Sequence, residues 1–149
     1  MASEWLDHWE HIRQGTLATL ELFDEGDLGF APIPAGYSIR EIALHIAHEE
    51  MIEILYGLAR LLPDLPAPFR AGDFRSKKSI VDQLAGVHAQ SLHYLRRLDP
   101  ASLEAEVDLA WGERLRPIAV IQHIVEHETH HRGELSLAVG LLGRRGFDA

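Results

Sequence analysis

Proline and glycine divide the chain into four long segments in which apolar residues recur three or four positions apart, the spacing of an amphipathic helix. The predicted helices run over residues 3–24, 38–62, 79–98 and 117–142. Each needs neighbours to cover its apolar face, and four helices of about 20 residues cover one another in a bundle. The sequence therefore predicts an all-α fold, a four-helix bundle.

Local signals support the ends of two of these helices. Ser38-Ile-Arg-Glu41 is a capping box, in which the serine and the glutamate each bond an otherwise free backbone N–H at a helix start. Pro117 suits the first turn of the fourth helix, and Gly143 suits its end. Between the third and fourth helices, residues 106–111 alternate enough to predict a short extended segment.

Length and composition limit the class of protein. A chain of 149 residues fits one domain, which we expect to span residues 1–149. There is no cysteine, which excludes disulfides, thiolate metal sites and cysteine nucleophiles. The charged N-terminus lacks the apolar core of a signal peptide, and no apolar run approaches the roughly 20 residues of a membrane span. We expect a soluble, cytoplasmic protein that does not bind membranes.

The formal net charge is -9, from 23 acidic and 14 basic residues. A negative surface repels a phosphate backbone, so binding to nucleic acid is disfavoured. The unusual feature of the composition is its ten histidines, whose positions must decide their role.

The fourth predicted helix contains four histidines: His123, His127, His130 and His131. Its apolar face has a gap between Ile124 and Leu135, and His127 and His131 fill that gap. Their spacing of four residues lets both rings reach one metal ion. The other two histidines lie toward the polar edge of the helix.

The apolar face of the second predicted helix is interrupted in the same way by His45, with His48 and Glu49 one turn further on. Three imidazoles without a common partner would leave buried nitrogens unsatisfied, at about 1–3 kcal/mol each. Three protein ligands with an open fourth position are typical of catalytic zinc sites. We therefore expect His45 to share an ion with the histidine pair of the fourth helix.

The remaining histidines and carboxylates predict other roles. His8, His11, His88 and His93 lie off the apolar faces or at their margins, which predicts surface or flanking positions. A di-iron carboxylate centre is disfavoured: Glu128-Thr-His-His131 supplies one of its motifs, but Glu41 precedes His45 by four positions where the motif needs three. Trp111 is placed to cover the mouth of the metal site.

Two stretches resemble one known family. His123-Ile-Val-Glu-His-Glu-Thr-His-His-Arg-Gly-Glu-Leu135 resembles the fourth-helix signature of the DinB-like (DinB/YfiT-type) metalloprotein superfamily, in which a histidine pair is followed by Arg-Gly. Ser38-Ile-Arg-Glu-Ile-Ala-Leu-His-Ile-Ala-His-Glu-Glu50 resembles its second helix. The resemblance covers essentially the whole chain and implies the metal ligands His45, His127 and His131.

The resemblance also implies an up-down-down-up bundle, a homodimer, and a zinc or nickel ion. Relatives include S-transferases and isomerases that use a low-molecular-weight thiol (mycothiol, bacillithiol or glutathione) in detoxification or stress response, so a small-molecule substrate is expected. Two alternatives stay open: a non-catalytic metal-binding bundle that serves as a sensor or interaction protein, and a metal-dependent hydrolase. Four further residues are candidates to support the ligands or to contact a substrate: His48, Glu49, Glu128 and Arg132. The two glutamates could act as general bases in hydrolysis, and the arginine could orient an anionic substrate.

Overall fold

The fold is the predicted all-α four-helix bundle. In the computed structural model, residues 2–145 are described, with side chains from residue 4 onward. Four long helices form the bundle: α1 (Ala2–Glu21), α2 (Ile39–Glu50), α3 (Lys77–Leu95) and α5 (Pro117–Leu141), and a short helix, α4 (Pro100–Glu104), precedes the last of them. α1 packs against α5, and α2 packs against both α3 and α5. Among the described helices, none combines the length and the apolarity needed to cross a membrane.

The helix starts follow local hydrogen bonding. At α2 the predicted capping box is present: the hydroxyl of Ser38 accepts from the backbone N–H of Glu41, and the Glu41 carboxylate accepts from the Ser38 N–H at 2.8 Å. α3 begins earlier than predicted, because the hydroxyl of Ser76 accepts from the N–H of Ser79 at 3.1 Å and so caps a helix that already includes Lys77.

The second helix ends differently from the prediction. After α2 the chain continues as a π-helical segment, Met51–Leu58, and Arg60 then takes a left-handed backbone conformation with φ 53°. Trp111 packs on this segment: a Cβ atom on Gly57 would lie 2.3 Å from the indole Cζ3. The backbone N–H of Ala110 also donates to the Gly57 carbonyl at 2.9 Å. The expected position of Trp111 over the metal site is therefore wrong, since its indole covers the π-helical segment.

The linker before α5 forms a small hairpin. β1 (Val107–Asp108) pairs antiparallel with β2 (Arg114–Leu115), with Val107 opposite Leu115. The predicted extended segment is thus present in its first residues only. Leu109 and Leu103 of this linker are buried and join the core of the bundle, so the linker closes one side of the fold.

Candidate metal centre

Three histidines from α2 and α5 converge at one point. Nε2 of His127 lies 3.1 Å from Nε2 of His45, and one ring nitrogen from each of His45, His127 and His131 lies within 4.8 Å of the others. The ring centroids are 4.9, 4.7 and 4.5 Å apart. These are the three side chains for which the sequence predicts a common ion, and we call them the histidine centre.

The helices explain this convergence. His127 and His131 are one turn apart on α5, so their side chains leave the same face of the helix. α5 packs against α2, which brings His45 opposite them. His131 is buried, whereas His45 and His127 are half-buried and remain in contact with solvent.

The surroundings keep two of these rings neutral. Burial, together with the nearby His131 and His45, lowers the pKa of His127 from 6.5 to about 3. Burial and the neighbouring His131 also lower the pKa of His45, although Glu49 partly opposes this. Neutral imidazole has a lone pair to offer, which a metal ligand requires.

Two carboxylates lie beside the histidine centre. Oε2 of Glu134 is 2.6 Å from Nδ1 of His131, so Nδ1–H donates to this carboxylate and Nε2 carries the free lone pair. Oε1 of Glu49 lies 4.0 Å from Nδ1 of His45. Glu49 is thus close to the centre, as its place on the second helix suggested. Glu134 is not among the site residues predicted from the sequence, although its position three residues after a predicted ligand on the same helix is a usable signal.

The other candidate residues differ in position. His48 lies beside the centre, with a ring nitrogen within 4.8 Å of ligand atoms of His45 and Glu49, and its Nε2 donates to the carbonyl of Pro66 in the proline-rich loop at 2.9 Å. Glu128 follows His127 by one position, a rotation of about 100° around the helix, and this turns its carboxylate toward α1. Arg132 extends over Gly15 of α1: a Cβ atom added to Gly15 would lie 2.6 Å from Nη1 of Arg132. The expectations that Glu128 acts as a base and Arg132 as a substrate ligand at the histidine centre are therefore wrong.

A second cluster of polar side chains lies in the core of the bundle. It consists of Arg13, Glu50, His88 and Glu128, and we call it the buried charge cluster. Nη2 of Arg13 is 2.6 Å from Glu50 and its Nε is 2.7 Å from Glu128, and all three side chains are 1% exposed. Nδ1 of His88 is 3.1 Å from Glu50, and Trp9 Nε1 donates to Glu128 at 3.0 Å. His8, His11 and His93 are exposed, as predicted. The surface or flanking position predicted for His88 is wrong, because its ring is only 6% exposed and contacts Glu50 in the core.

Mutual attraction favours the charged forms of Arg13 and Glu50. Burial favours the neutral form of Arg13, but Glu50 and Glu128 outweigh it and raise the pKa of Arg13. Burial also favours protonated Glu50, but Arg13 and His88 outweigh it and lower the pKa of Glu50. The guanidinium of Arg13 therefore lies as a buried cation between two carboxylates, Glu50 and Glu128.

Two cavities reach the histidine centre from solvent. The larger, of about 390 Å³, is lined by Pro32, Ile33, Ala35, Gly36, Tyr37, Ile42, His131 and Glu134. The smaller, of about 220 Å³, is lined by Tyr37, Glu41, Leu44, His45, His48, Pro68 and Phe69. Tyr37 belongs to both linings, and its ring lies 5.6 Å from that of His45. The larger cavity thus reaches His131 and the smaller one reaches His45.

The donor set fits a divalent transition metal. The histidine centre offers three ring nitrogens and no thiolate, and imidazole is a good ligand for zinc, nickel, copper and iron. Two other groups also have ligand atoms within 4.8 Å: His45, His48 and Glu49, and His130, His131 and Glu134. Each comes from a single helix and includes a histidine that already has a hydrogen-bond partner: His48 bonds the Pro66 carbonyl, and His131 bonds Glu134. The histidine centre is the stronger candidate to hold an ion.

Comparison with known proteins agrees with this architecture. YjoA of Bacillus subtilis strain 168 is 25% identical over 114 residues, which cover 72% of this chain and 74% of the relative. A DinB-like protein from Bacillus cereus ATCC 10987 has a similar structure, with TM-score 0.76, 17% identity, and coverage of 97% of this chain and 95% of that one.

YfiT from Bacillus subtilis also has a similar structure, with TM-score 0.71, 16% identity, and coverage of 95% of this chain and 87% of that one. It is described as "a probable metal-dependent hydrolase with an unusual four-helix bundle topology". At these identities the two solved structures establish the fold. A family model for the DinB superfamily matches residues 8–135, which is most of the sequence. The chain belongs to the DinB superfamily.

Proposed function

We propose that this protein binds one divalent ion, zinc or nickel, through His45, His127 and His131, and that it transfers a low-molecular-weight thiol to an electrophile. The observation that carries this proposal is the convergence of three ring nitrogens within 4.8 Å at a point that two cavities reach. Three protein ligands leave coordination positions for a reactant, as in catalytic metal sites.

The chemistry follows from the open position and the two cavities. A bound divalent ion lowers the pKa of a coordinating thiol and so supplies a thiolate near neutral pH. In the transfer, the sulfur–carbon bond forms while the bond from carbon to its leaving group breaks. The leaving group departs with the electron pair, and the proton of the thiol goes to solvent. Such a reaction needs two organic molecules at one centre, and the cavities on either side of Tyr37 provide separate places for them.

The protein's own groups have distinct parts in this proposal. Glu134 accepts from Nδ1–H of His131 and so keeps Nε2 of that ring free to ligate. The apolar walls of the larger cavity, Ile33, Tyr37 and Ile42 among them, suit a hydrophobic electrophile.

Metal-dependent hydrolysis is the second candidate. YfiT, whose fold this chain shares, is described as a probable metal-dependent hydrolase. Glu49 lies 4.0 Å from His45 and its side chain is 26% exposed, so a carboxylate is at hand to accept a proton from water.

One experiment separates these functions. Protein loaded with zinc or nickel is mixed with a chloroalkyl electrophile and a thiol, and in parallel with ester and amide substrates without thiol. The transferase proposal expects metal-dependent thiol consumption that His131→Ala abolishes. Hydrolysis without a thiol would favour the second candidate. Inactivity of the fully loaded protein in both assays would contradict both and leave a non-catalytic metal-binding protein.

A further inference from the structure

A second group of metal-binding side chains lies next to the histidine centre. It consists of His130, His131 and Glu134, each of which offers one ligand atom within 4.8 Å of those of the other two. All three residues belong to α5, and the group shares only His131 with the histidine centre. His130 has no part in the proposed function, so its place beside a ligand calls for a separate explanation.

The two oxygens of Glu134 face different histidines. Oε2 is 2.6 Å from Nδ1 of His131, and Oε1 is 3.8 Å from Nε2 of His130. One oxygen thus stays bonded to a ring of the histidine centre while the other faces a second imidazole. At zinc bond lengths of about 2.0–2.2 Å, two ligand atoms of one ion lie about 3–3.5 Å apart. Oε1 and the His130 nitrogen are near that separation, and a small rotation of the histidine closes the difference.

The helix keeps these two ligands side by side. Residues four positions apart are neighbours on one helix face, and pairs of zinc-binding histidines use this spacing. The side chain of His130 is 69% exposed and that of Glu134 is 23% exposed, so a hydrated ion can reach both and keep water in its other positions. The bond to His131 also holds the carboxylate in place before an ion arrives, which reduces the entropy lost on binding.

The remaining group of ligand atoms, from His45, His48 and Glu49, is less suited to a further ion. Nε2 of His48 donates to the Pro66 carbonyl at 2.9 Å, so this nitrogen has no free lone pair. Among the described residues, the polar partner of His130 is Glu134. An ion between these two side chains therefore forms without breaking an existing hydrogen bond.

We propose that His130 and Glu134 form a second, weaker site for a divalent transition metal such as zinc, which fills after the histidine centre. Its protein ligands are Nε2 of His130 and Oε1 of Glu134, and water completes the coordination. The site is weaker because it has two protein ligands where the histidine centre has three. The inference uses only the ion-binding part of the proposed function and is independent of the reaction.

The test measures how many zinc ions the full-length, metal-free protein binds. Calorimetric titration of the wild-type protein should show two equivalents, the second at least about tenfold weaker than the first because it has one protein ligand fewer. His130→Ala should bind one equivalent, with the affinity of the first unchanged. His123→Ala is the matched control, since His123 is a 59% exposed histidine of α5 that pairs with Glu53 at 3.5 Å, and it should keep both equivalents.

The histidine rings report where the second ion binds. In NMR spectra of the wild-type protein, the ring signals of His130 should shift mainly while the second equivalent of zinc is added. The ring signals of His123 should not respond to that equivalent. Because both histidines are exposed on the same helix, the comparison separates binding at Glu134 from general binding of zinc to surface imidazoles.

The possible failures are distinguishable. A single equivalent of zinc in the wild-type protein overturns the second site and leaves the histidine centre intact. A second equivalent that survives in His130→Ala, or that His123→Ala also removes, shows that the ion binds elsewhere and overturns the inference as well. A wild-type protein that binds no zinc at all contradicts the histidine centre and the second site together.

Discussion

At the scale of single residues, the histidine centre depends on which nitrogen of each ring is free. Glu134 settles this for His131 by accepting from Nδ1–H at 2.6 Å. Such carboxylate partners typically contribute 10–100-fold to metal affinity, because they orient the ring and make the ligating nitrogen more basic. The same carboxylate lies in the wall of the larger cavity, so it contributes to both ligand orientation and the charge of the site.

Glu134→Ala should therefore weaken zinc binding by about 10- to 100-fold. The affinity is measured by competition with a chromophoric chelator. Glu126→Ala is the matched control, since Glu126 is an exposed glutamate of α5 that lines neither cavity. Equal affinities for the two variants would show that Glu134 does not support the ligand.

The lowered pKa of His127 predicts how the metal-free protein responds to acid. In the unfolded chain this ring takes up a proton near its ordinary pKa of 6.5, whereas in the folded protein it does so only near pH 3. Between these values the unfolded state binds more protons, so the free energy of unfolding should fall as the pH falls from about 6.5 to about 3. Urea unfolding at several pH values in the presence of chelator measures this slope. His127→Gln should have a shallower slope, and an identical slope would contradict the assignment.

The sequence could identify the histidine centre because each ligand interrupts an apolar helix face. Arg13 and Glu50 also lie on faces that the helices bury, but a charged residue in such a position gives no indication of its partner. Their contacts join residues 37 positions apart, and Arg13 and Glu128 are 115 apart, so only the packing of the helices brings them together. For the same reason the sequence placed Glu128 near the ligands rather than in the core.

At the scale of secondary-structure elements, the buried charge cluster connects all four long helices. Arg13 belongs to α1, Glu50 to α2, and Glu128 to α5. From α3, His88 contacts Glu50, and the carbonyl of Leu84 accepts from Nη1 of Arg13 at 3.0 Å. Because Glu128 is adjacent to His127, a shift of α5 that breaks the cluster would also move the histidine centre.

Arg13→Met should destabilise the fold by about 3–5 kcal/mol, because it leaves two buried carboxylates without their cation. Urea denaturation of the metal-free protein measures the change. Arg96→Met is the control: Arg96 bonds Asp7 and Glu10 from a half-exposed position, and exposed ion pairs contribute at most about 1 kcal/mol. A loss of less than about 1 kcal/mol for Arg13→Met would show that the carboxylates can reorganise or take up protons.

The helices themselves were largely predictable, because their apolar spacing and capping residues are local signals. The π-helical segment was not, since a π-helical turn uses the same residue types as an α-helical one. The second helix was predicted to end at residue 62, before the prolines. In the structure the helical segment ends at Leu58, two residues before Arg60 with its left-handed backbone conformation. The position of Trp111 depends on this segment, because the indole packs where Gly57 lacks a side chain.

At the scale of the whole molecule, α5 carries two polar sites on different faces. His131 lines the larger cavity and joins His127 in the histidine centre, whereas Glu128 faces the core, where it bonds Arg13 and Trp9 of α1. The buried charge cluster can thus hold the bundle together without an ion, while the half-exposed histidine centre can gain or lose one. Metal should therefore add to the stability of a fold that already exists.

The separation of the two sites predicts how much a bound ion raises the free energy of unfolding. An ion that binds only the folded state, at a free concentration one hundred times its Kd, adds about 2.7 kcal/mol to the free energy of unfolding. For a chain of this length, that corresponds to about 5–10 °C in Tm. Scanning calorimetry of the wild-type protein with zinc and with excess chelator should show this difference, while both samples remain cooperatively folded. His127→Ala should melt at nearly the same temperature in both conditions. If chelator instead unfolded the protein at room temperature, the ion would be an essential part of the core, and the division of roles between the two sites would be wrong.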